Sequence, residues 1–195
     1  MLLKTKDYFC PTASLTARYI NLHSAQYIMS FIRLKKRVNN YYAYLVINKW
    51  GKNSSKQKVK SYLGRYYKLK SDINNQNKHL PLYIKKELIF IYLLKNELKS
   101  NGFKQKNKYV FINPKGYLID IKTNDVINKY TKKQICIGLN EGYLCNYTLK
   151  NLSKFTIKKD KKETGKNLIK LLLDLGINPD KDLFLAIFNT LINSK

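Results

Sequence analysis

Residues 31–67 read FIRLKKRVNNYYAYLVINKWGKNSSKQKVKSYLGRYY, three runs of apolar, aromatic and β-branched residues separated by polar breaks. The first is Phe31-Ile32-Arg33-Leu34-Lys35, followed by Val38 and the turn-like Asn39-Asn40. Tyr41-Tyr42-Ala43-Tyr44-Leu45-Val46-Ile47 is the second; Gly51, Asn53, Ser54 and Ser55 then mark a turn, and Gln57 to Leu63 supplies a third run ending at Gly64. Such residues favour a pleated, half-buried surface, and polar or glycine clusters between them favour turns. The spacing predicts a three-stranded antiparallel meander with one face to bury and one to show. Strand alternation puts Tyr42 and Tyr44 on one face and Tyr41, Ala43 and Leu45 on the other.

Charge concentrates in the same stretch. Between Asp7 and Asp72 there is no acidic residue and there are thirteen Lys/Arg, whereas from Asp160 onward five acids face six lysines. Over all 195 residues, 38 Lys+Arg against 12 Asp+Glu give a net charge of +26. A/T-rich codon usage inflates lysine but does not explain so few carboxylates, so a polyanionic partner is implied, with nucleic acid, DNA or RNA, foremost. The residues predicted to bind it are Arg33, Lys35, Lys36, Arg37, Tyr42, Tyr44, Lys49, Trp50, Lys52, Lys56, Lys58, Lys60 and Arg65. Cations there would neutralise phosphates, and flat rings would stack on bases or sugars. Three of the four arginines fall in this segment, and only a guanidinium offers a bidentate fork to phosphate or guanine. The competing reading is that the tyrosines pack a small sheet and the cations merely solvate its outside.

Composition excludes several classes. With 44% apolar and 13% aromatic residues the chain is not wholly disordered. No run approaches the roughly 18 unbroken apolar residues of a spanning helix. Three scattered cysteines (Cys10, Cys136, Cys145) do not make a disulfide framework and suggest a reducing compartment. The expected location is therefore cytoplasmic, in association with nucleoid or ribosome. Residues 1–28 lack the apolar core of a secretory signal and read as a poorly ordered extension, with Met29 a natural start.

Beyond the basic meander (29–69) and a polar linker or loop (70–79), residues 80–195 read as an α+β domain, giving an α+β fold overall. A helix is expected from Leu80, with Pro81 in its first turn and Gly102 as its stop. Tyr109–Ile112, the turn Asn113-Pro114-Lys115-Gly116 and Tyr117–Ile121 predict a second hairpin, and Gln134 to Gly138 a short strand. Asn140 is expected to cap a helix through Leu144, Tyr147, Leu149 and Leu152. Asp160 caps another, stopped by Gly176, and Asn178-Pro179 opens the last. The final two helices then form an αα-hairpin on the second β hairpin; the same apolar hairpin would also serve to pair two copies into a homodimer.

Chemistry-bearing patterns are sparse. Asp120-Ile121-Lys122 has the spacing of the acid-x-Lys element of metal-dependent nucleases, but the upstream carboxylates, Glu87 and Glu97, fall on a predicted helix. Glu141 and Cys145 lie four apart, on one face of the predicted helix; a structural role suits both, as the only histidines, His23 and His79, sit in weakly structured segments. Neither zinc-ligand spacing nor a phosphate loop is present, so no cofactor is expected. The sequence therefore points to a non-enzymatic nucleic-acid-binding protein, with a small nuclease, a transposition-related remnant or a ribonucleoprotein component as alternatives.

The 31–67 run also resembles the N-terminal β module of DNA transposases of the IS4/IS1634 type. Tyr42, Tyr44, Leu45, Val46, Gln57, Lys58, Tyr62, Leu63 and Gly64 carry the resemblance. From Met29 onward the chain is similar to small uncharacterised archaeal proteins, through this opening and the later Gly-Leu-Asn-Glu-Gly-Tyr-Leu-Cys-Asn-Tyr-Thr-Leu at 138–149. The first resemblance implies a transposition-related remnant as an alternative; the second brings no activity with it. A transposase catalytic domain, with its acidic triad, has no room here.

Overall fold

The computed structural model describes residues 29–50, 55–69, 80–81 and 84–193. Strands β1 (Met29–Arg37), β2 (Asn40–Trp50) and β3 (Ser55–Lys68) form the expected antiparallel meander. Helix α1 (Lys86–Ser100) follows, then β4 (Lys104–Gln105), β5 (Val110–Ile112), β6 (Tyr117–Asp120) and β7 (Asp125–Asn128). β8 (Ile135–Leu139), β9 (Gly142–Leu144) and helices α2 (Asn146–Ser153), α3 (Lys161–Asp174) and α4 (Lys181–Asn193) complete an α+β fold. β4–β7 make a four-stranded antiparallel sheet around the predicted hairpin. The other sheet has five strands in the order β1-β2-β3-β8-β9, with β3 and β8 parallel.

That parallel pairing joins the basic meander to the rest of the chain. All five residues of β8 are buried, as expected for a continuous apolar strand covered on both faces. Ile135 and Ile137 enter the main core with Leu94 and Leu98 of α1, Phe111 and Ile119 of the second sheet, and Leu168 and Leu172 of α3. Cys136 points to the other side, into a smaller core with Ala43, Leu45, Leu63 and Cys145, flanked by Ile32, Leu34, Tyr66, Tyr143 and Tyr147. Segments 29–69 and 80–195 thus share one sheet; the polar stretch expected at 70–79 lies outside the described residues, as do residues 1–28.

Several boundaries differ from expectation. Gly64 does not end the third strand. It lies within β3 at φ +112, where a Cβ would come within 2.7 Å of Ile135 Cα, so only glycine lets β3 approach β8 here. The first turn is Val38-Asn39, and Asn40 already pairs with Arg37. Helix α1 starts at Lys86, after extended Lys85, so Pro81 stands ahead of the helix, and Glu87 fills the first-turn position that suits a carboxylate.

Asn140 caps no helix. It occupies the β8–β9 turn at φ +50, and its side-chain amide donates to Glu97 Oε1 (2.8 Å) and to the Gly176 carbonyl (2.7 Å), tying α1 to the α3–α4 loop. The expected helix is therefore split: β9 takes its first residues, and α2 begins after Cys145, whose N–H donates to Thr148 Oγ1 at 3.0 Å. Glu141 consequently sits in a turn, and Glu141 and Cys145 share no helical face. Asp160 does cap α3, accepting from Lys162 N at 2.8 Å. For α4 the cap is Asp180, which accepts from Leu183 N at 2.8 Å, in place of Asn178. Gly165, early in α3, lies against Phe188, late in α4, consistent with an antiparallel helix pair.

Candidate nucleic-acid interface

The ladder registers sort the meander's side chains onto two faces. On the outer face two cross-strand rows follow one another: Arg33–Tyr44–Tyr62 and Lys35–Tyr42–Arg65. Arg37 and Asn40 pair beside them. Ring contacts agree with this assignment, with Tyr44 and Tyr62 centroids 5.4 Å apart and Tyr42 and Tyr62 6.3 Å apart. Arg33, Lys35, Arg37 and Arg65 are exposed, as are Phe31 (37%), Val59 (57%) and Tyr62 (45%). Ala43, Leu45 and Leu63 point the other way, into the smaller core.

Two of the guanidinium groups are held in place. Arg33 Nη1 donates to Gln57 Oε1 at 2.9 Å, reaching diagonally over the Val46 position, and Val46 is only 2% exposed although it lies on the outer face. Arg65 donates to Asn40 Oδ1 and lies 5.1 Å from the Tyr67 ring centroid. Tyr67 in turn contacts Tyr117 of β6 at 4.7 Å, where the second sheet meets this surface. Each arginine has five N–H donors in a fixed fork, so one such bond leaves donors for phosphate or a base edge. Burial, followed by neighbouring Tyr44, Tyr42 and Tyr67, raises the pKa of the Tyr62 phenol.

The predicted residues do not all meet on this surface. Arg33, Lys35, Arg37, Tyr42, Tyr44 and Arg65 share the outer face. Lys36 pairs with Tyr41, and Lys58 with Ile47, on the opposite side, where Lys56 also falls. The physical reason is the two-residue period of the strand, which turns every second cation away. Lys60 falls at the register shift between the Leu45 and Val46 pairs, a bulge that strand alternation alone does not reveal. Lys49 and Trp50 lie in β2 without a described side chain, and Lys52 lies outside the described residues. Sequence reading did not assign roles to Asn40, Gln57 and Tyr117. An amide two residues from Tyr42, and another in the strand register, were the signals available for the first two.

Other candidate centres have local partners. Asp120 Oδ1 accepts from Lys122 N (2.9 Å) and Thr123 N (3.3 Å), closing the β6–β7 turn. Among the described residues, no three His, Cys, Asp or Glu side chains gather where they could hold a metal ion. Cys136 and Cys145, both fully buried, hydrogen-bond to each other. That bond, and then burial, pushes the Cys136 thiol up, while the same bond draws Cys145 down to about 7. Among the described residues no helix is long and apolar enough to cross a membrane.

No family model, curated protein or solved structure matches the chain. The functional reading therefore rests on this surface and its chemistry.

Proposed function

We propose that the protein is a non-enzymatic nucleic-acid-binding protein that engages its partner through the outer face of β1–β3. The observation that carries this reading is the pair of rows Arg33–Tyr44–Tyr62 and Lys35–Tyr42–Arg65, in a segment without a single carboxylate between Asp7 and Asp72. Phosphates would meet the cations, and no acidic side chain of that segment would repel them. A surface serving only to pack tyrosines would not need three exposed arginines around them, because exposed cations add little to stability. The resemblance of residues 31–67 to a transposase module adds support for DNA, and RNA offers the same phosphate charge.

The test is fluorescence anisotropy with a labelled oligonucleotide between 50 and 300 mM salt. If Arg33, Lys35, Arg37 and Arg65 each neutralise one phosphate, log K falls with log salt at a slope of about −3 to −4. No binding at the lowest salt, or a slope near zero, would overturn the reading.

A further inference from the structure

From the tyrosine rows we infer that the outer face binds single-stranded nucleic acid in preference to duplex. The inference rests on the nucleic-acid reading above and narrows its substrate class. Three rings share the outer face of one sheet: Tyr42 and Tyr44, half-buried and two residues apart on β2, and Tyr62, exposed beside Tyr44 on β3. An aromatic ring gains stacking energy from the flat face of a base, and in a duplex neighbouring pairs already cover those faces. In a single strand the bases are free to splay onto the sheet.

Spacing points the same way. Residues two apart on a strand lie about 6.8 Å from each other. Bases stacked along one strand of a duplex are about 3.4 Å apart, half that distance. Consecutive bases can therefore occupy Tyr42 and Tyr44 only when the strand is drawn out and unstacked. A broad three-stranded face also cannot enter a groove that admits a helix or a two-stranded ribbon.

The flanking groups suit an extended backbone. Arg33 and Lys35 border the rings on the β1 side and Arg65 on the β3 side, so phosphates on either edge of a base row meet a cation. The Gln57 and Asn40 amides hold the two arginines beforehand, which lowers the ordering cost of binding. The exposed Phe31 and Val59 add apolar area to the same face.

The experiment compares 20-nucleotide oligothymidylate, oligouridylate and a 20-base-pair duplex, all at 50 mM salt, on the full chain and three variants. Either single strand should bind at least about tenfold more tightly than the duplex, and the two homopolymers separate DNA from RNA. Tyr44→Leu and Tyr62→Leu should each weaken single-strand binding by about tenfold, leaving duplex binding within twofold. Tyr62→Phe keeps the ring and should keep the affinity, which separates stacking from loss of fold. Duplex binding as tight as single-strand binding, with the leucine variants unaffected, would overturn this inference and leave the nucleic-acid reading standing. Failure of all three probes to bind would overturn both.

Discussion

Arg33 and Gln57 hydrogen-bond at 2.9 Å from strands that are not neighbours, reaching across β2 between them. The bond crosses the register position of Val46, a valine on the outer face that is only 2% exposed. It also fixes one guanidinium of the candidate interface before any partner arrives. Gln57→Ala should release Arg33 and uncover Val46. Urea denaturation should show a loss of about 1 kcal/mol or less, while oligonucleotide affinity falls two- to fivefold as Arg33 must be ordered on binding.

Gly64 is the position where the basic meander joins the rest of the protein. Its φ of +112 disfavours any L side chain, and a Cβ would press on the Gln134–Ile135 backbone of the parallel neighbour β8. Backbone cannot step aside as a flexible side chain can. Gly64→Ala should therefore cost about 3 kcal/mol or more, combining conformational strain with overpacking. The urea midpoint reports this directly, and amide exchange of Arg65 to Lys68, the residues paired with β8, should accelerate.

Val38 presents the opposite case. It is 87% exposed at the tip of the β1–β2 turn and has φ +51, a conformation costly for a β-branched residue. Val38→Gly should stabilise the protein by about 1 kcal/mol, since relief of strain outweighs the added freedom of the unfolded chain. A higher thermal midpoint with unchanged oligonucleotide affinity is the expected result.

Burial raises the phenol pKa of Tyr62, Tyr66 and Tyr117. A group whose folded pKa lies above its unfolded value contributes stability that is fully present below the unfolded value. For tyrosine that value is near 10, and the contribution is lost as pH rises through the folded pKa. Stability should therefore hold below about pH 10 and fall above it. Absorbance at 295 nm should show these three phenols ionising at higher pH in the native protein than in denaturant.

The meander was legible because its pattern is local: alternating aromatics and β-branched residues between polar turns specify strands without long-range information. Tyr42 and Tyr44 sharing a face followed from alternation alone. The bulges at Lys60 and Leu63 did not, because an extra residue in one strand is fixed by the partner it opposes. The parallel β3–β8 pairing was also hidden, since it joins residues some 70 positions apart and only the short apolar run Ile135–Leu139 hints at it. Asn140 shows a third limit. A residue suited to helix capping equally suits a positive-φ turn, and contact with Glu97 and Gly176 decided between them. For the candidate interface, the basic, aromatic character of the segment is local and visible in the sequence, and the two-residue period separates Arg33, Lys35, Arg37 and Arg65 from Lys36, Lys56 and Lys58.

A chain of net charge +26 will attract any polyanion to some degree, so the decisive comparison is between surfaces. Oligonucleotide affinity and its salt slope should be measured for Arg33→Gln/Arg65→Gln and for Lys104→Gln/Lys106→Gln/Lys108→Gln. The second variant removes exposed cations around β4, outside the five-stranded sheet. On the proposed interface, the arginine pair should weaken binding at least tenfold and lower the salt slope by about 2, while the lysine triple should change affinity less than threefold. An equal or larger loss from the lysine triple, with the arginine pair close to the parent protein, would contradict it.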